Sequence, residues 1–178
     1  IFAAHGLMVF AVEELPTHGG SLRVFGQHAG NTGRAVEPSV AAVRELEKAA
    51  GLGSLETYTN FKSQVEKIKR ELLSFLIQAK AAGRTVAAYG AAAKGNTLLN
   101  FCGIRQDFVD YIVDKNPHKQ GLYAPGTHIP GLSPEKINET KPDFVLILPW
   151  NLRDEVAGQL SAIRAWGGNF IVPIPSLQ

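Results

Sequence analysis

Cysteine is nearly absent from this chain, which holds only Cys102. A single thiol excludes an internal disulfide framework and a cysteine-built zinc site, and it fits a reducing cytoplasm. Long apolar runs are missing as well. The longest, FVLILPW from Phe144 to Trp150, has the length of a strand and falls far short of the roughly 20 residues of a membrane-spanning helix. Nor does one charge dominate, with 18 Lys and Arg against 16 Asp and Glu. No basic stripe with interleaved aromatics runs through the sequence, which argues against nucleic acid or a membrane surface as partner. His5, His28 and His128 sit in unrelated segments. No Ser/His/Asp or Cys/His set can be assembled from the chain, and no cluster has metal-ligand spacing. An initiator Met is lacking too. IFAAHG reads as the last turns of a helix closed by Gly6, so a fragment with further domains upstream is expected. The 178 residues present are enough for one solid core, or for one domain plus a piece of another.

What is present falls into two patterns. Leu7 to Leu15 has strand composition, Pro16 stops it, and THGG follows as a turn. Ser21 to Phe25 reads as a returning strand. Gly26 to Pro38 is polar and suits a linker. Ser39 is placed to cap a helix running to about Ala50. A longer helix from Asn60 to Ala82 carries Phe61, Val65, Ile68, Leu72, Phe75, Leu76 and Ala79 at three- and four-residue spacing. From Thr85 the pattern alternates. Strands are expected at Thr85–Tyr89, Phe108–Val113, Phe144–Leu148 and Phe170–Val172, with a weaker one near Thr127–Ile129. Helices are expected at Thr97–Cys102, Pro134–Asn138 and Leu152–Trp166, the last capped by Asn151. Near-continuously apolar strands separated by helices imply an α/β fold. Its sheet is Rossmann-like and mostly parallel, with helices on both faces and the strand pair in front of it. Right-handed crossovers then gather every strand-to-helix loop on one edge, where such sheets bind ligands.

That edge collects the informative residues. Gly90, Ala92 and Gly95 of GAAAKG occupy the three positions of GxGxxG, with alanine in the middle. The first glycine permits a tight turn and the last permits close packing of helix on strand. Lys94 adds a point charge suited to a phosphate, but the order is not that of a Walker loop. Asp114 lies near the distance at which such folds place a ribose-binding acid. DKNPHKQG brings Lys115, His118 and Lys119 around an Asn116-Pro117 turn, either as an anion-binding loop or as a solvated basic turn. Trp150 can stack on a base or seal the core. HGGS, His18 to Ser21, allows close backbone approach and can line a neighbouring site or simply turn a hairpin. These residues point to a nucleotide or nucleotide-sugar binding domain of a larger enzyme. A Rossmann-type NAD or nucleotide-binding module without catalysis is the alternative. A third possibility is a structural domain that dimerises through the long helix.

The ordered series VEELPTHGGSLRVF, YGAAAKGNTLLNF, VDKNPHKQGLYAPGTHIPG, PDFVLILPWN and GGNFIVPIP resembles the C-terminal part of SAM-dependent sugar C-methyltransferases. The resemblance covers nearly the whole chain. It implies an enzyme that abstracts a proton beside the ketone of a nucleotide-linked sugar and transfers a methyl group from S-adenosylmethionine. It also implies that residues 1–30 are the closing strand pair of a truncated SAM-binding domain, and 31–58 a linker and short helix. Residues 59–178 would be the Rossmann-like C-terminal domain. The SAM loop and the acid/base residues of such enzymes lie before the start of this chain, so the chain would hold substrate and catalyse nothing alone. Its partners would be a nucleotide-sugar and the upstream SAM-binding domain of the same protein. Gly90, Lys94, Gly95, Asn96, Asp114 and Lys119 are carried over as substrate contacts, with His18, Gly20 and Ser21 as weaker ones on the facing domain.

Overall fold

A computed structural model describes residues 1–178. The chain divides into two compact units, Ile1–Lys62 and Ser63–Gln178. In the first, a short 3-10 turn is closed by Gly6 at φ 65°. Strands β1 (Leu7–Leu15) and β2 (Ser21–His28) then pair antiparallel, with a register shift between Val9 and Ala11. β2 runs three residues past Phe25, into the stretch expected to be linker, because Gln27 and His28 still find Met8 and Leu7 across the ladder. Phe10 and Ala11 are buried, and Phe10 packs on Phe25 with ring centroids 6.1 Å apart. Helix α1 (Pro38–Ala49) follows, with Pro38 in its first turn, where a missing N–H costs nothing. Ser39 therefore lies inside the helix and does not cap it. Its hydroxyl accepts from Val12 N at 3.1 Å and ties α1 to β1.

Helix α2 (Leu55–Ala81) begins in the first unit and continues into the second. It starts five residues before the expected Asn60. Ser54 Oγ accepts from Glu56 N at 3.3 Å and supports the first turn. Leu55, Tyr58 and Phe61 are exposed there, so apolar periodicity does not mark this end.

The second unit is a five-stranded, wholly parallel sheet. Its strands are β3 (Val86–Tyr89), β4 (Tyr111–Val113), β5 (Gly131–Leu132), β6 (Phe144–Ile147) and β7 (Asn169–Ile171), in the order β5-β4-β3-β6-β7. Three helices join α2 in this unit: α3 (Ala93–Cys102), α4 (Glu135–Thr140) and α5 (Arg153–Gln159). Side chains alternate across the sheet, as the pleat requires. Val86 and Ala88 face one way, into a core with Leu72 and Leu76 of α2 and Leu98 and Leu99 of α3. Ala87 and Tyr89 face the other way, into a core with Ile137 of α4 and Val156 of α5. Both faces are thus covered, which explains the continuous apolar strands.

Three local expectations are corrected. Strand β5 sits at Gly131–Leu132 rather than Thr127–Ile129, because Ile129 is fully buried but His128 takes a positive φ of 58° and turns the backbone. Phe108 and Val109 are packed in a turn, and β4 begins only at Tyr111. The expected helix Leu152–Trp166 is a 3-10 turn at Trp150–Leu152, then α5, then a 3-10 segment at Ser161–Trp166. Asn151 falls inside that first turn and does not cap α5.

Candidate functional site

β3 is the strand at which the chain reverses direction through the sheet: β4 and β5 lie to one side, β6 and β7 to the other. Ligands of open parallel sheets bind outside the carboxyl ends of the strands at such a reversal. The loop after β3 is built by its small residues. Gly90 takes φ +89°, and a Cβ there would lie 2.6 Å from Pro149 Cδ. Gly95 is buried in α3, and a Cβ there would lie 2.6 Å from Leu148 Cβ. Both glycines therefore let the loop and α3 pack directly on the residues that follow β6. The first intrahelical bond is made by Asn96 N to Ala92 O at 2.9 Å. The amides of Ala93, Lys94 and Gly95 precede it, and no side chain caps the helix. Such amides at the positive end of a helix form an anion-binding surface.

Lys94 stands at this surface. Its ammonium lies 4.5 Å from the ring centroid of Trp150 and donates to Asn151 Oδ1. Burial lowers its pKa from the ordinary lysine value. An anionic group at the helix end would favour the charged form. Trp150 does two things: it packs against both cores and carries the lysine on its ring.

Asp114 and Lys119 are arranged otherwise. Asp114 Oδ2 accepts from Ala91 N at 2.8 Å and from Lys119 Nζ at 3.1 Å, while Oδ1 accepts from Asn116 N at 2.8 Å. Lys119 also donates to Ala91 O at 2.9 Å. The pair fastens the GAAAKG loop to the DKNPHKQG turn, and the Asp114 side chain is only 15 % exposed. Asn116 Oδ1 accepts from His118 N at 3.0 Å, which closes the turn. On the opposite face Tyr89 donates to Gln159 Oε1 at 3.1 Å. Burial raises its phenol pKa, helped by the charges of Asp114 and Glu155, so it remains a neutral donor.

The structure thus brings Gly90, Lys94, Gly95, Asn96, Asp114 and Lys119 to one edge of the second unit. His18, Gly20 and Ser21 belong to the first unit. There His18 (φ 59°) and Gly20 (φ 123°) make the hairpin turn, and Ser21 Oγ donates to Thr17 O at 3.0 Å.

Sequence reasoning missed a cavity of about 290 Å³ beside the loop. Ala91, Ala92 and Asn96 line one side of it, and Leu122, Tyr123, Ala124 and Pro125 roof it. Ile112, Ile129 and Leu148 form its floor. The signal available was the glycine- and proline-rich run GLYAPG, whose Leu122 and Tyr123 remain exposed.

The residues at this edge do not fit S-adenosylmethionine. A ribose diol is held by a carboxylate at the end of β4, and the Asp114 carboxylate is already engaged by three donors of the chain itself. The ammonium of Lys94 at the loop would oppose a sulfonium cation.

A doubly covered parallel sheet with a tight glycine loop opening a helix defines a Rossmann-like α/β domain. Its particular kind is given by comparison with known proteins: the profile of the C-methyltransferase C-terminal domain matches residues 16–175, and the chain belongs to that family. It is 36% identical over 175 residues to C-methyltransferase NovU of Streptomyces niveus. That match covers 98% of this chain and 41% of NovU, so the chain spans less than half the length of this relative. No helix is long and apolar enough to cross a membrane.

Proposed function

We propose that this chain is the substrate-holding part of a SAM-dependent C-methyltransferase acting on a nucleotide-linked keto sugar. The methyl donor and the base that takes the proton would be supplied by an upstream domain of the same protein. The chain's own part is to bind and orient the nucleotide. The observation that carries this reading is the α3 end: three amides ahead of the first helical bond, with the Lys94 ammonium beside them. A diphosphate placed there accepts hydrogen bonds from the amides. It also draws Lys94 away from Asn151 into a charge-assisted bond, the strong kind. The family membership and the likeness to NovU support the methyltransferase reading of the parent protein. Gly90 and Gly95 would serve indirectly, by letting the backbone come close. Asp114 and Lys119 would hold the loop in shape rather than touch the ligand through spare oxygens or protons.

Calorimetric titration with dTDP, with NAD in parallel, tests the reading. Tight dTDP binding is expected, with Lys94→Ala weakening it by roughly 1.5–3 kcal/mol, the range for a hydrogen bond to a charged group. An unchanged titration in the variant would remove Lys94 from the site. Binding of NAD alone would replace the sugar-nucleotide reading with that of a dinucleotide-binding module. The titration belongs on the protein at its natural length, where every domain that completes the site is present.

A further inference from the structure

Lys94 stands where a helix does not favour it. It is the second residue of α3, at the positive end, where the helix dipole opposes a cation and favours an acidic side chain. The first turn of α3 contains no acidic residue and no capping side chain. Burial lowers the pKa of Lys94, and no charged neighbour contributes. Its two partners are uncharged: the ring of Trp150, with its centroid 4.5 Å from the ammonium, and Oδ1 of Asn151. We propose that Trp150 and Asn151 are positioning residues of the anion site, a neutral seat that holds the Lys94 ammonium and releases it to an arriving anion. The inference rests on the reading of the α3 end as a diphosphate site and adds to it what keeps the cation of that site available.

The neutrality of the partners is the point. A carboxylate beside Lys94 would form a lasting ion pair and cancel the field that draws an anion. A ring face and an amide oxygen hold an ammonium without cancelling its charge. Both are exchanged readily for a phosphate oxygen, because a hydrogen bond between two charged groups is the stronger kind. Lysine suits the exchange, with a compact charge on a flexible four-carbon stem. Side chains of a helix lean toward its N-terminus, so the Lys94 stem runs back past the amides that open α3. The seat and an anion at the helix end are thus within one swing of the same stem.

Packing fixes the seat before any ligand arrives. Leu148 and Pro149, just ahead of it, lie against Gly95 and Gly90, where a Cβ would come within 2.6 Å of each. Trp150 is held by both cores. Asn151 follows it in the 3-10 turn Trp150–Leu152, which Leu152 N closes on Pro149 O at 2.7 Å. The neighbouring carboxylates have partners of their own. Asp114 is engaged by Ala91, Asn116 and Lys119. Asp154 pairs with Arg153 at 2.9 Å, and Glu155 accepts from Gln159 at 2.7 Å. The two lysines of this edge therefore differ: Lys119 neutralises a carboxylate of its own chain, and Lys94 does not.

The test is a titration of the full-length protein with inorganic pyrophosphate, followed by calorimetry and by tryptophan emission. Wild-type emission should change in step with binding, because the ammonium leaves the Trp150 ring. Trp150→Phe keeps a ring face, so it should lose that change and hold its affinity within about threefold of wild type. Asn151→Asp is nearly isosteric and adds one charge; it should weaken binding about tenfold or more, because Lys94 then stays in an ion pair. Asn151→Ala adds no charge and should alter affinity by roughly threefold at most. In a Lys94→Ala background the effect of Asn151→Asp should be much smaller, which separates action through Lys94 from plain repulsion by the new carboxylate. Wild-type affinity in Asn151→Asp, or an equal loss in both backgrounds, would overturn the seat while leaving the diphosphate site standing. Calorimetric binding with no change in emission would also overturn it. Failure of pyrophosphate to bind the wild-type protein would remove the diphosphate site and the seat together.

Discussion

The two units of this chain make structure by different means. The second covers a five-stranded sheet on both faces, and Leu72, Leu76, Leu99, Ile112, Leu146 and Ile147 are among its fully buried side chains. In the first, the buried apolar residues are Phe10, Ala11 and Val40, set around a two-stranded ribbon and one helix. A two-stranded ribbon is marginal by itself in water, and small cores stabilise little. The second unit thus has the tight packing that holds a loop in one shape, and the candidate site is built there. In the first unit, polar side chains do much of the fastening: Ser39 on Val12, Arg23 on Glu13 at 3.0 Å, Gln27 on Arg34 O at 2.7 Å.

The contrast can be tested by substitution. Gly95→Val should have the largest effect, because its added carbon falls on Leu148 Cβ and not on the movable end of a side chain. Overpacking of this kind costs about 3 kcal/mol, read as a lowered denaturation midpoint for the second unit. Asp114→Ala should cost roughly 2 kcal/mol, since it leaves the Ala91 and Asn116 amides without their acceptor. If Asp114→Ala left stability unchanged, the fastening of the two loops would be incidental. Arg23→Ala should change stability by less than about 0.5 kcal/mol, because both partners of the ion pair are more than half exposed. Hydrogen exchange of the hairpin amides is the measurement for this variant. A large loss of protection there would show that the first unit depends on its surface charges more than its burial suggests.

Elements that bury continuous apolar runs were legible in the sequence. β3, β6 and β7 were placed within a residue or so, because a strand covered on both faces needs apolar side chains at every position. The misplacement of β5 shows the limit of that signal. Ile129 is as buried as any strand residue, but burial marks contact with the core and not membership of a ladder. The break in the Leu152–Trp166 helix was hidden for a similar reason, since Val156 and Ile163 both reach the core although the backbone between them is not one helix. At the site, the glycine positions and Lys94 were legible because a tight turn followed by a helix has local sequence requirements. The partners were not. Asn151 meets Lys94 across 57 residues, and Asp114 meets Ala91 across 23. Such pairings are made by the strand order, whereas Asn151 by itself has the local signature of a helix cap. The cavity was hidden for the same reason, as its floor and roof come from four separate stretches of chain.

The close approach at Gly95 has a consequence for how this protein can diverge. Helix α3 rests on Leu148 with no room for even a methyl group, so positions 95 and 148 share one volume. A larger residue at 95 becomes tolerable only after a smaller one appears at 148, and that smaller residue alone leaves a hole under the glycine loop. Each single step is unfavourable although the double change is not. Lineages should therefore hold the two positions fixed or exchange them as a pair, and the depth of the loop above the sheet would be inherited with them.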